Sequence, residues 1–306
     1  MVAPRNVAPP TDGSNAMTAS PHISRQFIYE LAAPPADITG LWDSLVMDPL
    51  SKDRLLHSVF LALRLRAQLP FAVTALHGLA VLSGPPGTGK TTIARGLVAK
   101  VAELTEAKKA RLIEVDPTGL MAGEHGKSQQ QVTRLLTETI PDLAADGLPT
   151  VVLLDEVETM AVARSAASLS ANPADVHRAT DAVLTALDAN ASKHPHIFTV
   201  ATTNFVASLD DAFLSRADVH ITMPPPTEGA IADILRSTLK AMGAAFPPLA
   251  TLASSPELTT VATHLVGRDG REVRKAVTDA MLARRETTLD PGTLTIKDLL
   301  ALEGRS

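Results

Sequence analysis

The sequence has no cysteine, few aromatic residues and no long uninterrupted apolar segment. The absence of cysteine excludes disulfides, thiolate metal ligands and a cysteine nucleophile, and it is typical of a reducing compartment. The longest apolar region, residues 58–83, is interrupted by Arg64, Arg66 and Pro70 and therefore cannot span a membrane. The N-terminus lacks the basic start and apolar run of a signal peptide. These absences predict a cytoplasmic protein with no membrane partner.

An excess of positive charge is also missing. The chain carries 28 Lys and Arg against 33 Asp and Glu, which gives a formal net charge of −5. A protein that binds nucleic acid through bulk attraction to phosphates is normally basic, so we expect no direct nucleic-acid partner. The 306 residues are enough for one large domain and one small one.

The patterning divides the chain into three parts. Residues 1–36 are rich in Pro and small polar residues and predict a largely disordered arm, in which only the apolar patch at 27–31 could dock onto something. Residues 37–226 predict a large α/β domain, with a helix over 51–68 capped by Ser51. Pro224 to Pro226 mark a stiff boundary, and residues 227–306 show helical patterns only. They predict a small all-helical domain.

Short apolar runs alternate with helical patterns inside the large domain, which predicts a parallel sheet sandwiched by helices. The predicted strands cover 79–82, 111–115, 151–154, 197–201 and 219–223. The third of these has no polar alternation, as expected for a central strand that is buried on both faces.

A glycine-rich segment follows the first predicted strand and precedes a helical pattern. Its residues are Gly84, Pro85, Pro86, Gly87, Thr88, Gly89, Lys90 and Thr91. Two glycines four residues apart, followed by Lys and Thr, form the phosphate-loop pattern, in which backbone N–H groups cradle phosphate oxygens. We expect Lys90 to contact the β and γ phosphates and Thr91 to supply an oxygen to Mg²⁺.

Polar residues end the next two central strands. Asp155 and Glu156 come after the strand at 151–154, where ligands bind in open parallel sheets. Alone, such a pair often only provides charge at a helix N-terminus, but beside a phosphate loop we expect Asp155 to orient Mg²⁺ and Glu156 to act as general base. Asn204 ends the following strand, where it would bind the γ-phosphate or the attacking water, or would simply form a turn.

Together these motifs resemble those of AAA+ ATPases over residues 38–285. The matching segments are GPPGTGKT (Walker A), VVLLDE (Walker B), ATTN, LDDAFLSRADVHI and GRDGREVRK. Within that superfamily the chain resembles the pachytene-checkpoint remodellers of HORMA-domain proteins, on the segments WDSLVMD, RLIEV, LLDEVETMAVAR, DAVLTALD and FLSRADVHI. The resemblance implies a homo-hexameric ring with ATP and Mg²⁺ at its interfaces and a helical lid formed by the small domain.

The resemblance also implies roles for two arginines. Arg216 matches the arginine-finger region and would reach the γ-phosphate bound by a neighbouring subunit. The alternative is a surface arginine paired with Asp210, Asp211 or Asp218. Arg271 matches the second sensor on the lid, the alternative being an arginine on a solvated helix end.

A loop after the second strand corresponds to the segment with which such rings grip a polypeptide. It includes Ala122, Gly123, Glu124 and His125. Relatives usually carry an aromatic residue there, whereas Glu124 and His125 occupy those places in this chain. In place of the aromatic grip, either Met121 or His125 would hold the polypeptide, or weaker polar contacts would deliver the force.

The resemblance implies a function. We expect an ATP-driven remodeller that opens closed HORMA-domain proteins by engaging their N-terminus, with the substrate alone or bound to a CD-NTase, in a bacterial antiphage (CBASS-type) system. The alternatives are an unfoldase or activase of another protein and a nucleotide-gated binding module. Glu156 argues against a pure binding module, and the missing aromatic residue argues mildly for one.

Overall fold

A computed structural model describes residues 28–31, 38, 40–105, 108–115, 127–162 and 173–301. The four predicted loop residues Ala122, Gly123, Glu124 and His125 lie outside this part of the chain, as does most of the predicted N-terminal arm.

The sheet has six strands in the order β1-β3-β4-β5-β2-β6. They are β1 (Ile28–Leu31), β2 (Leu79–Ser83), β3 (Arg111–Val115), β4 (Thr150–Leu154), β5 (Ile197–Thr203) and β6 (Val219–Thr222). Strands β2 to β6 are mutually parallel, which confirms the predicted parallel sheet. Every residue of β2, β4 and β5 is buried, which explains why apolar and polar residues do not alternate along these strands.

The patch near residue 28 forms the outermost strand. Strand β1 pairs antiparallel with β3, with Ile28 opposite Val115 and Leu31 opposite Leu112. The sequence pointed only to a docking patch, because a four-residue strand that pairs with a distant segment has no local signature.

Helices surround the sheet. They are α1 (Leu41–Ser44), α2 (Pro49–Gln68), α3 (Phe71–Thr74), α4 (Lys90–Leu104), α5 (Lys127–Arg134), α6 (Ile140–Leu143), α7 (Pro173–Lys193) and α8 (Asp211–Leu214). A π-helical turn, Leu135–Thr139, joins α5 to α6, and 3₁₀ turns cover Val157–Thr159 and Val206–Ser208. Helix α2 begins at Pro49, two residues before Ser51, so the prediction that Ser51 is its cap was wrong. The cap is Asp48, whose carboxylate accepts the Ser51 N–H at 2.8 Å, with Pro49 in the first turn.

Alternate residues of the strands enter two apolar cores, one on each face of the sheet. Ala80 and Leu82 of β2 face a core shared with α1, α2 and α4. Leu79 and Val81 face a core shared with α5, the π-helical turn and α7. The sandwich of helices is therefore confirmed, and it places the carboxyl ends of β2, β4 and β5 side by side.

The helices after Pro226 have a third apolar core, which includes Leu235, Val261 and Val277. They are α9 (Glu228–Met242), α10 (Pro247–Leu252), α11 (Leu258–His264), α12 (Gly270–Met281), α13 (Arg285–Leu289) and α14 (Ile296–Leu300), with a 3₁₀ turn at Pro291–Thr293. Helix α12 starts in a capping box, in which Asp269 accepts the N–H groups of Arg271 and Glu272. Among the helices of the described residues, none has the length and apolarity needed to cross a membrane.

Candidate nucleotide-binding site

The glycine-rich segment forms the loop between β2 and α4. Gly84, Gly87 and Gly89 have φ angles of 147°, 76° and 95°, which residues with a side chain rarely adopt. A Cβ atom on Gly84 would run into the Met223 carbonyl, and one on Gly87 would run into the Asp269 carboxylate. Thr88 Oγ1 closes the loop by donating to the Pro85 carbonyl at 2.9 Å. The loop therefore turns back on itself directly before the N-terminus of α4, as an anion cradle requires.

Lys90 begins α4 and directs its ammonium group back into the loop. Nζ donates to the carbonyl oxygens of Gly84 at 2.8 Å and Pro85 at 2.9 Å, and to Oδ1 of Asn204 at 2.8 Å. Burial lowers the pKa of Lys90, and the nearby carboxylates Asp155, Glu158 and Glu156 oppose that change. The ammonium thus lies within the loop, beside the residues that follow β4 and β5.

Asp155 follows β4 and contacts the first turn of α4. Thr91 Oγ1 donates to Asp155 Oδ1 at 2.9 Å, so the two predicted Mg²⁺ ligands lie next to each other. Thr202 of β5 donates to the same carboxylate oxygen and accepts the Glu156 N–H at 3.1 Å. Glu156 itself has a left-handed backbone with φ of 53°. Such a conformation is uncommon outside glycine, asparagine and aspartate and is often found at functional sites.

Asn204 joins the two sides of the site. Its Oδ1 accepts from Lys90, its Nδ2 donates to Glu156 Oε1 at 3.4 Å, and its backbone N–H donates to Glu158 Oε1 at 3.1 Å. The simple turn that the sequence left open does not account for these contacts. Asn204 therefore connects the phosphate-loop lysine to the carboxylate of Glu156.

These groups line one cavity of about 340 Å³. It is lined by Pro86, Gly87, Gly89, Lys90, Thr91, Thr92, Asp155, Glu156, Thr202, Asn204, Arg271 and Arg274. The fold therefore brings Arg271 of α12 to the phosphate loop, as the resemblance implied. Sequence reasoning missed Thr202 and Arg274, although Arg274 lies three residues after Arg271 and therefore on the same helix face. Glycine N–H groups, a lysine, two arginines and a Thr–Asp pair fit a nucleoside triphosphate with Mg²⁺.

Arg216 does not line this cavity. Its guanidinium binds Asp188 of α7 through Nε at 2.7 Å and through the second terminal nitrogen at 2.8 Å. The other terminal nitrogen donates to the Ala212 carbonyl at 2.8 Å. The pairing lowers the pKa of Asp188, and His77 Nε2 lies 3.3 Å from the same carboxylate. The ion-pair partner of Arg216 is therefore Asp188 and not Asp210, Asp211 or Asp218, the three acids that the sequence suggested.

The phosphate loop, the acidic pair and Asn204 lie in the part of the chain that matches a known family. Residues 80–225 match the family described as "ATPase family associated with various cellular activities (AAA)". Over 266 residues the chain is 44% identical to CD-NTase-associated protein 6 of Pseudomonas aeruginosa, covering 87% of each chain. It belongs to the AAA ATPases. The protein is accordingly an ATPase.

More distant relatives are pachytene-checkpoint proteins, which places the chain in that branch of the family. Over 211 residues the AAA ATPase is 34% identical to the Rattus norvegicus pachytene checkpoint protein 2 homolog, covering 68% of this chain but 48% of the rat protein. Its fold matches a solved structure of C. elegans PCH-2 with a TM-score of 0.72 and 22% identity, covering 90% of this chain and 73% of the other. It also matches a chain of the E. coli MS115-1 HORMA:CdnC:Trip13 complex with a TM-score of 0.72 and 20% identity, covering 92% and 95%.

Proposed function

We propose that this AAA ATPase uses ATP and Mg²⁺ to open closed HORMA-domain proteins. The observation that carries the proposal is the 44% identity to CD-NTase-associated protein 6 over 87% of both chains. The fold match to a chain of a complex whose name includes HORMA, CdnC and Trip13 supports the same substrate class. A HORMA-domain protein, alone or with a CD-NTase, is therefore the proposed partner. The proposed setting is a cytoplasmic antiphage system of the CBASS type.

The chemistry is assigned to residues around one cavity. Bound Mg²⁺, held by Thr91 and Asp155, would neutralise charge on the phosphates. The loop N–H groups and Lys90 bind the phosphates, and Glu156 accepts the proton of the attacking water. Asn204 contacts both Lys90 and Glu156, and it orients the water between the base and the phosphate. Arg271 of the proposed lid lines the same cavity and adds positive charge to it.

The coupling to a protein substrate is assigned to a homo-hexameric ring. Arg216 lies outside the cavity of its own chain, which is compatible with a finger that acts on the neighbouring subunit. Residues 122–125 are the proposed substrate loop. In this scheme residues 37–226 form the ATPase domain and residues 227–306 the lid, and the third core after Pro226 favours that division. ATP turnover would supply the free energy for local unfolding of the closed substrate.

The test is a trapping experiment in the native host. Glu156→Gln should keep ATP bound without hydrolysing it, so a pull-down of this variant with ATP should recover a HORMA-fold protein. The Lys90→Ala variant is the control, because it should neither bind ATP nor retain the partner. Capture of a protease subunit or a metabolic enzyme in place of a HORMA protein would contradict the proposal and favour an unfoldase or an activase. If the wild-type protein with ATP binds the captured partner but does not remodel it, a nucleotide-gated binding module would be favoured.

A further inference from the structure

Glu158 is a carboxylate next to the site to which no role has been assigned so far. It lies in the 3₁₀ turn Val157–Thr159, two residues after the proposed general base Glu156. Its Oε1 accepts the backbone N–H of Asn204 at 3.1 Å. The segment that follows β4 is thereby tied to the first residue after β5.

The orientation of the Asn204 side chain depends on this anchor. A lysine can only donate and an ionised carboxylate can only accept, so the amide fits between Lys90 and Glu156 in one orientation. The Oδ1 atom must face Lys90 and the Nδ2 atom must face Glu156. The hydrogen bond to Glu158 holds the backbone of Asn204 in place. It therefore fixes the position from which the side-chain amide reaches Lys90 and Glu156.

The second oxygen of Glu158 argues against a purely structural role. Within the described residues Oε2 is buried and has no hydrogen-bond partner. A buried polar atom without a partner destabilises the folded state, and in native proteins such atoms are few. An apolar side chain would avoid that loss, but it would leave the Asn204 N–H without its acceptor. The carboxylate is also one of the three that oppose the lowering of the Lys90 pKa by burial.

We propose that Glu158 is a positioning residue for ATP hydrolysis, which holds the backbone of Asn204 and so aims its amide at Lys90 and Glu156. The inference rests on the roles proposed above for Glu156 and Asn204. Glu158 does not line the nucleotide cavity, so it acts through Asn204 and not on the nucleotide.

The test compares kcat and KM for basal ATP hydrolysis. Glu158→Ala should lower kcat about 10- to 100-fold and change the KM for ATP by less than about threefold, because alignment is lost while the phosphate loop is kept. Glu158→Gln should stay within about fivefold of the wild-type kcat, because an amide oxygen still accepts the Asn204 N–H. Glu257→Ala is the matched control, an exposed glutamate at the start of α11 whose side chain makes no cap hydrogen bond.

A double-mutant cycle then separates this inference from the proposed function. In an Asn204→Ala background, Glu158→Ala should lower kcat by less than about threefold further, because its effect passes through the missing amide. Equal effects of Glu158→Ala in both backgrounds would overturn the inference alone. A wild-type kcat for Asn204→Ala would overturn the role of Asn204 and this inference with it.

The shorter Glu158→Asp variant keeps the test valid if Glu158→Ala does not fold. Its carboxylate is one methylene too short to reach the Asn204 N–H, so it should be more impaired than Glu158→Gln. The reverse order, with Asp active and Gln inactive, would mean that charge matters and the hydrogen bond does not, and it would overturn the positioning role.

Discussion

At the scale of single residues, the unusual backbone of Glu156 is stabilised by a neighbouring strand. A left-handed conformation outside glycine costs about 1 kcal/mol or more, so something must hold it. The Thr202 hydroxyl accepts the Glu156 N–H and donates to Asp155, and Thr202 is buried. One hydroxyl therefore sets the backbone of the proposed base and the carboxylate of the proposed metal ligand.

Replacing Thr202 by valine tests this arrangement. Thr202→Val keeps the shape but leaves the Glu156 N–H without its acceptor, so we expect kcat to fall about tenfold. The free energy of unfolding should fall by about 1–2 kcal/mol. Thr202→Ser keeps the hydroxyl and should retain most of the activity. Steady-state hydrolysis and denaturant unfolding measure both effects, and a fully active valine variant would show that the hydroxyl is dispensable.

At the scale of elements, a buried arginine donates hydrogen bonds to carbonyl groups at the C-terminal end of α7. Arg66 of α2 donates one terminal nitrogen to the Ile197 carbonyl at 2.7 Å. The other terminal nitrogen contacts the carbonyls of Asn190, Ala191 and His194 at 3.1–3.4 Å. The last carbonyls of a helix have no partner within the helix, and here a side chain from another element supplies one. Burial lowers the pKa of Arg66, but the guanidinium remains charged.

We expect Arg66→Met to destabilise the protein by about 2–4 kcal/mol, because several buried carbonyls lose their donor. The measurement is the shift of the urea midpoint. Arg64→Met is the matched control, since Arg64 is exposed on the same helix and its loss should change stability by less than about 0.5 kcal/mol. Equal shifts for both variants would contradict the capping role.

The predicted and observed secondary structures differ where a segment owes its conformation to contacts with residues far away in the sequence. The five parallel strands were predictable because each is a short apolar run next to a turn signal. Strand β1 was not, because only its pairing with β3 makes it a strand. The π-helical turn before Pro141 was not predicted either. In the site, Lys90, Asp155 and Glu156 follow from a motif, whereas Thr202 and Glu158 act through tertiary hydrogen bonds that no local pattern encodes.

At the scale of the whole molecule, the helices after Pro226, which form the proposed lid, meet the sheet domain at the phosphate loop. Asp269 at the start of α12 lies against Gly87, and Arg271 and Arg274 line the same cavity as Lys90. A bound triphosphate would therefore connect both parts of the chain. Binding energy gained from the lid can favour one relative arrangement of lid and sheet domain over others.

We expect Arg271→Ala and Arg274→Ala each to weaken ATP binding about 5- to 20-fold, because each removes a cation from the phosphate cavity. A fluorescent ATP analogue titrated into each variant measures the change. Arg268→Ala, on the same segment but outside the cavity, should bind like the wild type. If Arg274→Ala bound ATP as tightly as the wild type, Arg271 alone would account for the contribution of these two arginines to ATP binding.

The role proposed for Arg216 depends on the proposed ring and can be tested by mixing two inactive variants. Arg216→Ala should bind ATP but hydrolyse it slowly, because a finger supplied in trans contributes about 10³- to 10⁵-fold in rate. Glu156→Gln should be inactive for a different reason. In an equal mixture about one head-to-tail interface in four combines an intact Glu156 with an intact Arg216, so activity should return to a measurable level.

The matched control is a mixture of Glu156→Gln with Lys90→Ala. Lys90 and Glu156 line the same cavity of one chain, so no cavity in that mixture contains both intact residues. It should stay inactive while the Arg216→Ala mixture recovers. If both mixtures stay inactive, Arg216 does not act on a neighbour, and its bidentate pair with Asp188 is then its whole role. Recovery only in the mixture of Arg216→Ala with Glu156→Gln would support the role in trans. Arg216 would then have to release Asp188, or to bind Asp188 and the neighbouring phosphate together.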